Sequence, residues 1–211
     1  MKTAPSLSFA KLGCTKGGRQ LFSNVDCDLH AGQWLYVTGA NGVGKTSLLR
    51  MVCGLATVDD GSILWNATPI QKQAEAYRRD LCYLGHLNAL QESMTVDENL
   101  SFTSALGGLA PSPVQRQQVL TRFGLKGRKQ QLVRHLSQGQ KRRVALCRLA
   151  LSPARLWVLD EPYVAMDEAG VQMLADLIAD HLVKGGLAVL TSHQRVPVGN
   201  IPAQLLELQA A

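Results

Sequence analysis

The sequence predicts an α/β fold, a largely parallel sheet flanked by helices with a helical lobe inserted into it. Two patterns in its 211 residues carry this expectation. Short apolar runs bounded by turn residues alternate with helix signals, as parallel strands joined by crossover helices require. The stretch from about residue 88 to 135 breaks that alternation, with helix signals set between Gly and Pro and no strand. Hydrophobic residues make up 46% and charged residues 18% of the chain, the balance of a globular domain with one sizeable core.

Taken in order, buried strands are expected at Trp34–Thr38, Ile63–Trp65, Leu81–Leu84, Leu156–Leu159 and Leu187–Leu190. A helix over Gly44–Cys53 stops at Gly54, a residue suited to the left-handed position that ends helices. Thr95, followed three residues later by Glu98, forms a capping box ahead of Asn99–Leu106. Another helix opens near Ser137 and runs to about Leu151. Asp167 begins the last helical pattern, which continues to Lys184 and is stopped by Gly185-Gly186.

Several function classes are set aside at once. No apolar run approaches the length of a membrane-spanning helix, and the N-terminal MKTAPSLSFAKLG lacks the apolar core of a secretory signal. The five cysteines (Cys14, Cys27, Cys53, Cys82, Cys147) are scattered and contain no C-x-x-C, so neither a disulfide framework nor a zinc site is expected. A net charge of +6 suggests anionic partners, which could be nucleotide phosphates, nucleic acid or an acidic membrane face.

Directly after the apolar run WLYVT comes Gly39-Ala40-Asn41-Gly42-Val43-Gly44-Lys45-Thr46, followed by Ser47. This is G-x-x-x-x-G-K-[ST] between a strand and a helix. Its glycines let backbone N–H groups converge on phosphate oxygens, and the next helix aims its positive end at the same point. Lys45 would pair with the terminal phosphates of a nucleotide and the Thr46 hydroxyl would ligand Mg²⁺. The bland alternative is a glycine-rich turn with no ligand.

A second site ends the strand LWVLD. Asp160 suits a water-mediated hold on the metal, and the adjacent Glu161 can orient and deprotonate an attacking water. Alone, the pair would be two solvated acids at a strand end; beside a phosphate loop, they point to hydrolysis.

Leu136-Ser137-Gln138-Gly139-Gln140 precedes that strand and opens a helix. Here the chain resembles the ATP-binding-cassette ATPases, whose signature is LSGGQ, over essentially its whole length and with the motifs in family order. The resemblance implies a nucleotide-binding domain with a RecA-like core (about 1–87 and 152–211), an antiparallel β subdomain and an α-helical subdomain (about 88–151). It implies ATP and Mg²⁺ as ligands. It also implies that Ser137, Gly139 and Gln140 of one subunit cap the nucleotide held by the phosphate loop of a second. Ser137 would serve as a plain helix N-cap too. By the same resemblance, Asp167 matches the aspartate that links the two sites of a dimer, and His193 in TSHQ matches the histidine contacting the γ-phosphate.

Two departures stand out. Where cassettes usually carry a glutamine near the metal, this chain has His86. An imidazole can hydrogen-bond a metal-bound water, and unlike glutamine it can titrate; the alternative is a histidine packed against the helical lobe. The aromatic residue that usually stacks on adenine is not evident, since the corresponding region reads Cys14-Thr15-Lys16.

Tyr83-Leu84-Gly85-His86, GQKRRVALCRLAL, LWVLDEPYVAMDEAGV and TSHQ are similar to the ATP-binding subunits of cytochrome c maturation haem exporters. That resemblance implies a homodimer on the cytoplasmic face of the bacterial inner membrane. It would associate with integral permease subunits and act indirectly on a haem chaperone, with hydrolysis coupled to haem export or to release of the haem-loaded chaperone. No nucleic-acid partner is expected. The alternatives are another small transporter of this superfamily, or a soluble cassette ATPase acting on nucleic acid. Arg78-Arg79, Arg128-Lys129 and Lys141-Arg142-Arg143 would support the latter, although such runs are most often solvated faces.

Overall fold

The computed structural model describes residues 4–192 and 196–209. Its centre is a five-stranded parallel sheet of β3 (Trp34–Thr38), β6 (Leu81–Leu84), β7 (Leu156–Asp160), β8 (Leu187–Thr191) and β9 (Gln204–Glu207), in the order β6-β7-β8-β3-β9. A second, antiparallel sheet holds β1 (Ser6–Lys16), β2 (Arg19–His30), β4 (Asp60–Trp65) and β5 (Thr68–Pro69), in the order β2-β1-β4-β5. The run Ile63–Trp65, expected simply as a buried strand, thus belongs to the antiparallel layer.

The parallel strands read as unbroken apolar runs because both faces are covered. Trp34, Tyr36, Trp157, Leu159, Ala188 and Leu190 point to one side; Leu35, Val37, Leu156, Val158, Leu187 and Val189 point to the other. The first set packs on α3 (Val96–Leu106), α4 (Pro113–Arg122), α5 (Gln138–Leu151) and α6 (Glu168–Val183). The second packs on α1 (Lys45–Val52) and on the antiparallel sheet through Leu7, Phe9, Phe22 and Ile63.

The layers are tied by polar contacts at their rim. Asp80 ends α2 (Ala74–Arg79) and accepts from Trp65 Nε1 at 3.1 Å and from the Arg155 guanidinium, which also lies 5.6 Å above the Trp65 ring. Tyr77 O–H donates to the Val52 carbonyl at 2.7 Å, joining α2 to the end of α1.

The helix boundaries follow the local chemistry. α1 ends in a complete Schellman motif, with Gly54 N–H on the Met51 carbonyl and Leu55 N–H on the Arg50 carbonyl, and Gly54 at a φ of 65°. α3 opens one turn earlier than the apolar pattern suggests, at Val96, because both halves of the Thr95–Glu98 box are formed. Ser112 and Gln115 cap α4 in the same way, ahead of Pro113 at its first position.

At the far end of α6, His181 stacks on Trp157 at 3.9 Å and 7°, its Nε2 3.1 Å from the Leu187 carbonyl. Burial pushes its pKa down from 6.5 to about 4. The unfolded chain therefore takes up a proton here between those values and the folded chain does not, so stability falls as pH drops through that window. The expected loss from this residue between pH 7 and pH 5 is about 2 kcal/mol. His181→Phe should remove that component when urea unfolding is followed at both pH values; an equal loss in both proteins would refute the assignment.

Candidate active site

The order β7-β8-β3 puts the ends of three adjacent parallel strands side by side, the edge where ligands bind in open α/β sheets. β3 runs into the glycine-rich loop, β7 ends in Asp160 and β8 ends in Thr191, which faces Asp160 across the ladder. Asp160 is 3% exposed. It accepts from Thr191 Oγ1 at 2.8 Å and from Thr46 Oγ1 at 3.1 Å, so one carboxylate joins β7, β8 and the start of α1.

The loop itself is shaped by glycine. Gly44 caps α1 at a φ of 109°, and a Cβ there would sit 3.0 Å from the Phe22 ring, so a side chain would strain the backbone and press on that ring. Lys45 folds back over the loop, its Nζ donating to the carbonyls of Gly39 at 2.7 Å and Ala40 at 3.2 Å. A phosphate oxygen would have to replace these carbonyls. Loop and carboxylates border a cavity of about 380 Å³ lined by Asn41, Gly42, Gly44–Ser47, Asp160 and Glu161, with Lys16 and Leu21 closing one side. Lys16 and Leu21 flank the β1–β2 hairpin turn and stand in the region that lacks an aromatic residue.

Glu161 adopts a left-handed backbone, with a φ of 48°, a conformation uncommon outside glycine and often held by its surroundings at functional sites. Here the surroundings are explicit: its N–H donates to Thr191 Oγ1 at 3.0 Å and its carbonyl accepts from Arg142 at 2.9 Å.

The remaining expected residues lie elsewhere. Ser137 caps α5 in a full capping box with Gln140, and Gly139 lies under the Ala165 carbonyl. None of the three borders the phosphate-loop cavity. Asp167 caps α6 by accepting from Gly170 N–H and pairs with Arg143, whose hydrogen bond holds its carboxyl below the usual range. His86 is exposed in the loop after β6, and it does not line the cavity. His193 lies outside the described residues.

The tandem bases of α5 are not a solvated face. Lys141 reaches Glu92, Arg143 reaches Asp167, and Arg142 is only 3% exposed. Sequence reading missed Arg142, and the signal that could have found it is its period: Arg142, Ala145, Leu146 and Leu149 form the i, i+3, i+4, i+7 stripe of a buried helix face, and all four are buried.

A family model described as "ABC transporter" matches residues 22–164, from β2 past Glu161. The chain belongs to the ABC transporter family. It is an ATP-binding ATPase of that family. The chain is 76% identical over 210 residues to the cytochrome c biogenesis ATP-binding export protein CcmA of Albidiferax ferrireducens, covering 100% of both chains. It is 41% identical over 204 residues to the protein of that name from Haemophilus influenzae, covering 97% of this chain and 95% of the other. The fold superposes on a putative ABC transporter ATP-binding protein from Pyrococcus furiosus with a TM-score of 0.84, at 23% identity and 96% and 97% coverage.

In this ABC ATPase the glycine at position 44 is expected to be irreplaceable. Gly44→Ala should raise the Kd for ATP about tenfold or more and lower the melting temperature, as read by calorimetric titration and thermal unfolding. Parental affinity would show that the loop tolerates a side chain there.

Proposed function

We propose that the chain is the ATP-hydrolysing subunit of a membrane complex for c-type cytochrome biogenesis. In this reading it couples hydrolysis to haem export or to release of a haem-loaded chaperone. The full-length 76% identity to an export protein of that name carries the assignment, and the convergence of Thr46, Asp160 and Glu161 around the phosphate loop supports the chemistry. Residues of about 1–87 and 152–211 form the core in this reading, and about 88–151 the helical subdomain.

The triphosphate lies along residues 39–47, where Lys45 exchanges its loop carbonyls for the β- and γ-phosphates. Thr46 and Asp160 offer hard oxygen donors 3.1 Å apart, which suits Mg²⁺ completed by phosphate oxygens and water. Thr46 would hold the ion directly and Asp160 through water, with His86 joining from the loop after β6. When bound, the ion neutralises charge on the β- and γ-phosphates.

Glu161 accepts a proton from the attacking water as that oxygen bonds to the γ-phosphorus; the bond to the bridging oxygen breaks, leaving ADP and inorganic phosphate. His193 is proposed to contact the γ-phosphate. Ser137, Gly139 and Gln140 do not border their own chain's cavity, which supports a site completed by a second copy, with Asp167 at the junction. ATP then favours the closed pair, and loss of the γ-phosphate releases it. No helix among the described residues is long and apolar enough to cross a membrane. The chain is accordingly proposed to sit on the cytoplasmic face of the inner membrane, held by separate permease subunits.

Glu161→Gln is expected to bind ATP, to accumulate as an ATP-bound dimer in size-exclusion chromatography and to lose turnover by roughly a hundredfold or more; hydrolysis at the parental rate would overturn the general-base role. Lys45→Ala should lose turnover through weakened phosphate binding. Detergent pull-down from membranes should recover integral permease subunits. Recovery only as a free protein would point to a different cellular role.

A further inference from the structure

Arg142 is the most deeply buried basic side chain among the described residues, and it has no carboxylate in ion-pair contact there. A guanidinium in such a place is costly unless each N–H is used. All five are used. Nε donates to the Pro162 carbonyl at 3.1 Å; Nη2 donates to the carbonyls of Glu161 at 2.9 Å and Asp160 at 3.4 Å. Nη1 donates to the Gly85 carbonyl and to Asn88 Oδ1, both at 3.1 Å. Burial lowers its pKa, and the nearby charge of Asp160 opposes that shift.

These acceptors fall on two segments that share no strand end. One is the turn 160–162, where Glu161 holds its left-handed backbone. The other is loop 85–88, whose Leu87 is 81% exposed and which carries the exposed His86. Thr191 fixes the N–H side of Glu161 and Arg142 fixes its carbonyl side. The Glu161 carbonyl also accepts from Val164 N–H, at the longer distance of 3.3 Å, so losing Arg142 removes the shorter of two bonds on that side and leaves the uncommon conformation less firmly held.

We propose that Arg142 is a positioning residue that locks the backbone of Glu161 in its reactive orientation and ties that orientation to loop 85–88. A shift of this loop moves two acceptors of the rigid, planar guanidinium and is passed to the three carbonyls on its other edge. This rests on the reading of Glu161 as the base, so Glu161→Gln is measured alongside.

The test is steady-state ATPase kinetics on the full chain, with Arg142→Lys and Asn88→Ala singly and together. Lysine keeps the charge but loses the five-donor fork. Arg142→Lys should lower kcat about tenfold or more while the KM for ATP stays within twofold, as expected when a group is displaced by a fraction of an ångström without loss of substrate binding. Asn88→Ala removes one acceptor without touching the nucleotide cavity and should lower kcat about threefold at unchanged KM. The double variant should be no slower than Arg142→Lys alone, because the two changes break one linkage.

A purely structural Arg142 would instead lower the melting temperature with kcat preserved, and would leave Asn88→Ala at the parental kcat. Either outcome overturns the proposal, as do strictly multiplicative effects in the double variant. Should Arg142→Lys fail to fold, Asn88→Ala alone decides by its kcat. If Glu161→Gln turns over normally, the base assignment fails; if Glu161→Gln is inactive and the other variants keep parental kcat, only the positioning role fails.

Discussion

The site depends on one buried carboxylate. Asp160 sits at the end of a fully buried strand and satisfies its oxygens with two threonine hydroxyls, Thr191 from the neighbouring strand and Thr46 from the first turn of α1. A charge at 3% exposure persists only where hydrogen bonds replace lost water. That requirement sets the relative height of β7, β8 and the phosphate loop more tightly than apolar packing alone, since apolar contacts tolerate small slides. The same Thr191 hydroxyl that donates to Asp160 accepts from Glu161 N–H. One hydroxyl therefore orients both acids: one inward toward Thr46, the other on a left-handed backbone beside the cavity.

Much of this was readable from the residues. β3, β6, β7 and β8 follow from apolar runs because both faces of the parallel sheet are buried, and the helix limits follow from Thr95, Gly54 and Asp167 because capping is local chemistry. β1 and β2 were legible only through family resemblance. They carry solvent-facing residues such as Lys11, Arg19 and Asn24, and their register shifts at Phe9–Leu12 and Leu12–Cys14 break the alternation that marks a half-buried strand. β9 is short and half exposed, with too few residues for a periodic signal.

In the site, what sequence could reach was the set of motifs with fixed spacing: residues 39–47 and Asp160 with Glu161. Leu21 escaped because it meets the phosphate loop from a separate element, a juxtaposition no local pattern encodes, and Lys16 was reached only within the stretch where an aromatic residue was sought. Arg142 escaped because composition weighs three neighbouring bases alike, whereas a helix turns each by about 100°. Lys141, Arg142 and Arg143 consequently end at Glu92, at backbone carbonyls and at Asp167. The net charge of +6 therefore does not translate into a basic stripe on this helix.

The two readings of Ser137, helix cap and phosphate ligand, draw on different parts of one hydroxyl. As a cap its oxygen accepts from Gln140 N–H, while the Gln140 side chain accepts from Ser137 N–H. The hydroxyl proton is not consumed by the capping box and can point away from the helix, where the positive end of α5 also favours an anion. A capping box fixes the rotamer of the serine before any ligand arrives, so little side-chain entropy remains to be lost when one does. The feature that makes the motif look like an ordinary helix start is thus the feature that pre-organises it. The residue is exposed and its own chain's cavity is lined by other elements, which is the arrangement that the proposed site shared between two copies calls for.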